Sequence, residues 1–152
     1  MIRREKDFKV AAVEKIAEEL CLAARTAPKA RGTDLLEIAL LTGDDILKLS
    51  KKMKEIGERE RQHTFLRDAE NIKQAQVIIL IGTKKQTIGL KYCSFCGFPN
   101  CEETEKAGAT CAYNTGDLGI AIGSLVAAAA DRRLDCRVMY SIGRAAVDAK
   151  LL

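Results

Sequence analysis

The chain has 152 residues, 47% apolar and 30% charged, with a formal net charge of +4. That length buries a substantial core without covalent staples, so one soluble domain over 1–152 is expected and a disulfide scaffold is not. The basic residues are dispersed, Trp is absent and aromatics are few, which argues against a nucleic-acid platform.

The start, Met1-Ile2-Arg3-Arg4-Glu5-Lys6-Asp7, is charged throughout and no apolar run follows it, so a cytoplasmic, reducing location is expected. From about Asp7 to Arg25, Val10, Val13, Ile16, Ala17, Leu20 and Ala24 recur at helical spacing, which predicts an amphipathic helix with Cys21 packed beside its stripe. Pro28 ends it. The loop that follows carries Arg25, Lys29 and Arg31 beside a proline and a glycine, a set able to meet phosphate or simply solvent.

Leu35 to Leu41 is a compact apolar run closed by Thr42-Gly43 and reads as a largely buried strand. Asp44 and Asp45 stand where a helix dipole favours carboxylates. Ile46, Leu49, Met53 and Ile56 form that helix's stripe, and Gly57 is expected to loosen or end it. Thr64 to Ala75 predicts another helix, with the sole histidine, His63, at its exposed start and without a catalytic partner. Gln76-Val77-Ile78-Ile79-Leu80-Ile81-Gly82 is β-branched and apolar, and predicts a central strand covered on both faces.

Residues 91–112 hold four of the six cysteines, Cys93, Cys96, Cys101 and Cys111, at intervals of two, four and nine residues. Thiolates are soft ligands, and four of them satisfy either an iron–sulfur cluster or a tetrahedral zinc. Gly97 frees the turn after the first pair for a positive φ or for close approach of its amide to a sulfur. Pro99 stiffens the next turn. Three cysteines in a short stretch with a fourth farther along favours a [4Fe–4S] cluster over zinc, with backbone amides around Gly97 and Asn100 as donors to the sulfurs. Paired disulfides and packed free thiols are the bland alternatives.

Beyond Cys111, Thr115 is a plausible N-cap for a long helix to about Arg133. Leu118, Ile120, Ala121, Ile122, Leu125 and Val126 make it apolar almost all round, which predicts burial. This apolar run is still shorter than the roughly 20 residues that cross a bilayer. Gly116, Gly119 and Gly123 are explained if a backbone, a partner helix or a flat cofactor approaches them. Cys136 to Ile142 reads as a third strand ending at Gly143-Arg144, with Cys136 packed.

Three stretches together carry a family resemblance: Ala23-Ala24-Arg25-Thr26-Ala27-Pro28-Lys29-Ala30, Cys93-x-x-Cys96-Gly97, and Asp117-Leu118-Gly119-Ile120-Ala121-Ile122-Gly123-Ser124. On these the chain resembles a family of small, uncharacterised ferredoxin-domain proteins of anaerobic bacteria and archaea. The Cys93, Cys96-Gly97, Cys101 portion also resembles the [4Fe–4S] motif of corrinoid iron–sulfur proteins.

The first and third stretches are more distantly similar to FMN-dependent nitroreductases, though the Arg-x-Ser-x-Arg phosphate motif of those enzymes is missing. That resemblance implies an α+β, three-layer fold, with a mixed sheet flanked by helices and a long buried late helix in the core of a homodimer. It also implies an FMN phosphate facing Arg25, Lys29, Arg31 and Arg144. The leading function is thus electron transfer to a flavin or a redox partner protein. Two others compete with it: a zinc-stitched interaction module with Phe95 and Phe98 as exposed anchors, and an FMN-dependent reductase whose cysteines are structural.

Overall fold

In a computed structural model of residues 1–152, two seven-residue strands, β1 (Leu36–Thr42) and β2 (Val77–Thr83), pair antiparallel. Leu36 stands opposite Thr83 and Thr42 opposite Val77. Side chains alternate between the faces of a strand. Leu41, Ile78 and Leu80 therefore enter one hydrophobic core, while Leu36, Ile38, Ile79 and Ile81 enter another.

The first core is closed by α2 (Gly43–Arg59), α3 (His63–Ile72) and α6 (Tyr140–Asp148). The predicted stripe of α2 is buried in full: Ile46, Leu49, Met53 and Ile56 face Phe65, Ala69 and Ile72 of α3. The second core lies between α1 (Lys9–Thr26) and α5 (Ala112–Asp131), where Leu20, Ala24, Ala121, Leu125 and Ala129 meet. Small residues at 24, 121 and 129 let those two helices approach closely. A short helix, α4 (Cys101–Lys106), lies outside both cores. The chain is thus α+β, and no helix is long and apolar enough to cross a membrane.

The structure corrects several expectations. The sheet has two antiparallel strands and is not mixed, so β2 is covered on both faces but is not central. The segment read as a third strand is non-helical coil at 136–139 and then α6. Met139, Ile142, Ala145 and Ala146 pack against the first core, and their three- and four-residue steps are helical spacing. Cys136, expected to pack, is exposed.

Gly57 does not end α2, which continues to Arg59. A β-carbon on Gly57 would lie 2.7 Å from Leu66 Cδ2 and 3.1 Å from the Leu66 backbone nitrogen, so the glycine lets α3 rest directly on α2. The N-cap of α5 is Cys111, while Thr115 lies inside the helix with its hydroxyl donating to Ala112 O. Only one face of α5 is buried; Gly116, Gly119, Ile120, Gly123 and Ala127 face outward. Nothing in the chain comes within 4 Å of a β-carbon placed at any of those three glycines, so packing inside this chain does not account for them.

One buried polar pair holds α6 to α3. The Ser141 hydroxyl donates to Asp68 Oδ2 at 2.6 Å, and Arg67 Nε donates to Oδ1 at 3.0 Å. Asp68 and Ser141 are 2% and 0% exposed. Burial works to raise the Asp68 pKa, but the Ser141 hydroxyl and the Arg67 and Arg137 guanidiniums together outweigh it and hold it below the ordinary carboxylate value. A depressed folded-state pKa means stabilisation present above the unfolded value, near 3.9, and lost as pH falls through the folded one. Ser141→Ala should therefore cost about 2 kcal/mol at pH 7, and the deficit should shrink below about pH 4. Urea denaturation of both proteins at the two pH values measures it, and a pH-independent difference would refute the assignment.

Candidate metal centre

Four tethers place the cysteine stretch. Where β2 ends, the Lys84 amide donates to Leu35 O at 2.9 Å. Asn114, on the first turn of α5, accepts from the Thr83 hydroxyl and donates from Nδ2 to Lys84 O (2.6 Å) and Gln86 O (3.0 Å). Arg31 Nη1 donates to Ile88 O and Gly89 O at 2.8 and 3.2 Å, from a backbone in the left-handed region at φ +57°. The Thr87 hydroxyl donates to Glu105 Oε1 at 2.5 Å and thereby holds α4 against the same segment.

Within the stretch, Gly97 has φ +86° and its amide donates to Ser94 O at 2.9 Å, the positive-φ turn its sequence position suggested. Asn100 caps α4, accepting from the Glu103 amide at 3.0 Å. Cys101 follows immediately, and Cys111 is the N-cap of α5. Cys93, Cys96, Cys101 and Cys111 consequently line a single pocket, together with Thr104 and Ile88 among others. The first two are half-buried, the last two buried, and all six cysteines of the chain are free thiols. No three side chains of Cys, His, Asp or Glu stand close enough to hold one metal ion between them.

Two of the sulfurs have hydrogen-bond partners. The Leu90 amide donates to Cys101 Sγ at 3.1 Å, and Thr104 Oγ1 lies 3.1 Å from Cys96 Sγ. The Cys96 thiol is held below its ordinary pKa first by Thr104, then by the Phe98 amide, with a smaller contribution from the Ala112 amide, against a modest opposing effect of burial. Hydrogen bonds of this kind favour the charged form, and a thiolate is the form that ligates. The chemistry of the pocket therefore suits a cluster or metal bound through sulfur. By contrast the Cys21 pKa is raised, by burial first and Glu18 second, and this thiol lies on α1, away from the pocket. Of the amides expected around Gly97 and Asn100, that of Phe98 is the one that bears on Cys96.

Of the four cations named for a flavin phosphate, Arg25 and Lys29 meet at Asp34, at 2.8 and 3.9 Å, while Arg31 and Arg144 are engaged elsewhere. Arg25 pairs with Asp34 at 2.8 Å and reaches Leu36 O. Lys29, its side chain 6% exposed, donates to Arg25 O and Ala27 O and so closes the end of α1. Arg31 is engaged at Ile88 and Gly89 as above. Arg144 pairs with Asp148 on α6, in the other layer. Phe95 is exposed and stacks edge-on against Tyr113 at 5.8 Å, while Phe98 is half-buried.

Sequence reasoning missed Thr104, Asn114 and the role of Asp117. The Ala30 amide donates to Asp117 Oδ1 and Oδ2 at 3.1 and 3.0 Å, and Ser124 Oγ donates to Ala23 O at 2.9 Å. Two of the three stretches behind the family resemblance are thus partners of one another. Their small and polar residues at matched helical steps were the available signal.

The model of a family described as uncharacterised proteins containing a ferredoxin domain matches residues 107–152. An uncharacterised protein of Archaeoglobus fulgidus is 42% identical over 155 residues, spanning 96% of this chain and 83% of that one. Among solved structures, a BluB-like flavoprotein from Clostridium difficile is similar with a TM-score of 0.43 and 17% identity, over 77% of this chain. The match spans 60% of that flavoprotein's length.

Asn114 is 4% exposed and fastens the end of β2 and the turn after it. Asn114→Ala strands two carbonyls and a hydroxyl, and should cost about 2–3 kcal/mol. It should also speed proteolytic cleavage between residues 84 and 111, read by limited proteolysis. An unchanged cleavage rate would show that the stretch is held by other means.

Proposed function

The chain belongs to the family of uncharacterised proteins that contain a ferredoxin domain, and from that premise we propose that it is a one-electron carrier whose Cys93, Cys96, Cys101 and Cys111 hold a [4Fe–4S] cluster. The observation that carries the reading is the gathering of these four free thiols around one pocket, with the Leu90 amide donating to the Cys101 sulfur and the Thr104 hydroxyl beside that of Cys96. Bound there, such a cluster supplies reversible one-electron transfer. The chain's own residues hold it, exclude water on the Cys101 and Cys111 side, and set its potential through hydrogen bonds. None of this needs an acid–base constellation.

A cluster is favoured over a single zinc by the spacing, with Cys93, Cys96 and Cys101 close together and Cys111 farther along. The half-buried edge at Cys93 and Cys96 lies beside exposed Tyr92 and Phe95, and this is where a redox partner in the cytoplasm would approach.

The finer expectations belong to the same proposal. Helices on both faces of the sheet are what supports the nitroreductase-like layering, and the uncharged outward face of α5 is what supports a homodimer through that helix. A flavin is the second reading, favoured by Arg25, Lys29 and Arg31 on one connection; it requires them to exchange their present oxygen partners for its phosphate.

Protein purified without oxygen should be brown, bleach on reduction, and contain iron and sulfide at about four of each per chain. Cys101→Ala should lose most of that iron while Cys136→Ser keeps it. Colourless protein carrying one zinc per chain would overturn the proposal, and stoichiometric FMN released on denaturation would establish the flavin.

A further inference from the structure

Thr104 is a fully buried hydroxyl, 0% exposed, on α4 one turn beyond Cys101. Its Oγ1 lies 3.0 Å from Asn100 O and 3.1 Å from Cys96 Sγ. A hydroxyl has one proton to give, so these two acceptors compete for it. The Asn100 carbonyl already accepts from the Thr104 backbone amide at 3.2 Å. The hydroxyl can therefore turn to the sulfur without stranding a buried group, and a buried group left unpaired is what would otherwise forbid the change.

We propose that Thr104 is a positioning residue of the redox centre: its hydroxyl donates to the Cys96 sulfur and thereby raises the reduction potential of whatever those thiolates hold. The inference rests on the cluster reading above. Reduction adds one electron to the thiolate-bound centre, supplied by an external one-electron donor protein. No covalent bond forms or breaks, and the Thr104 proton stays on Oγ1 throughout. Hydrogen bonds to an ionised acceptor strengthen as its charge grows, so the bond stabilises the reduced form more than the oxidised one. In the structure the Cys96 sulfur stands beside the Thr104 hydroxyl and the Cys101 sulfur accepts from the Leu90 amide. Of these two contacts, only the Thr104 hydroxyl is a donor that a side-chain substitution removes.

The test is a spectroelectrochemical titration of the iron-loaded, full-length protein. Thr104→Val keeps the shape of the side chain and removes the proton; its potential should be more negative than that of wild type. Thr104→Ser keeps the hydroxyl and should titrate with wild type. A merely structural Thr104 would lower the thermal unfolding temperature of Thr104→Val and leave the potential unmoved, and equal potentials overturn the proposal. If Thr104→Val and Thr104→Ala take up no iron while Thr104→Ser does, the hydroxyl serves assembly of the site, and the proposal is again overturned. Iron analysis of wild type keeps the two levels apart: zinc in place of iron there removes the cluster reading itself, whatever the variants do.

Discussion

Asn114 and Asp117 are polar side chains three residues apart on the buried face of α5, and each must find partners inside the protein. Asn114 finds them at the end of β2 and in the turn that follows, Asp117 at the backbone of the connection after α1. Cys111 is one helical turn before Asn114 and faces the pocket. A single helix face therefore fixes three separate pieces of chain relative to one another, and the cysteine pocket lies at its end. No buried side-chain nitrogen or oxygen is left without a partner. The anchoring is complete as it stands.

That arrangement explains how a long, irregular stretch can present sulfurs reproducibly. Residues 84–100 contain no helix or strand, so their backbone groups have no regular ladder to join. They are instead held from outside: by Arg31 at Ile88 and Gly89, by Glu105 at Thr87, and by the reciprocal contact in which the Cys101 amide reaches Leu90 O while the Leu90 amide reaches Cys101 Sγ. The helices place two of the cysteines directly: Cys101 is the first residue of α4 and Cys111 the N-cap of α5.

The outward side of α5 obeys a different logic. A helix carrying Gly116, Gly119 and Gly123 loses roughly 1 kcal/mol per glycine relative to alanine. It persists because Ala121, Leu125 and Ala129 are buried against α1 and because its first turns are tied down by polar bonds. Its exposed positions bear no charge from Tyr113 to Ala130. Helical stability here comes from tertiary packing of one face, with propensity working against it.

Much of the chain was legible in sequence because its cues are local. Helical spacing named the buried faces of α2 and α3 and the later part of that of α1, whose Val10 is exposed; Pro28 stopped α1, and uniform apolar runs gave β1 and β2. Cysteine spacing singled out the four that share a pocket and set Cys21 and Cys136 aside. What stayed hidden depends on contacts distant in sequence. Whether the segment after Cys136 became strand or helix was decided by a place for Ala145 and Ala146 against the first core and by Asp68 awaiting the Ser141 hydroxyl. Gly57 looked like a helix breaker because its reason, the backbone of Leu66, belongs to the next helix. Thr104 and Asn114 look like ordinary polar residues until the fold brings a sulfur to one and three β2-end groups to the other. The sequence alone determined most of the buried helix faces and which four cysteines belong to one stretch, since periodicity and spacing are properties of neighbours along the chain. Only the tertiary structure decided which polar groups pair, because a hydrogen bond is chosen by what lies within about 3 Å in space.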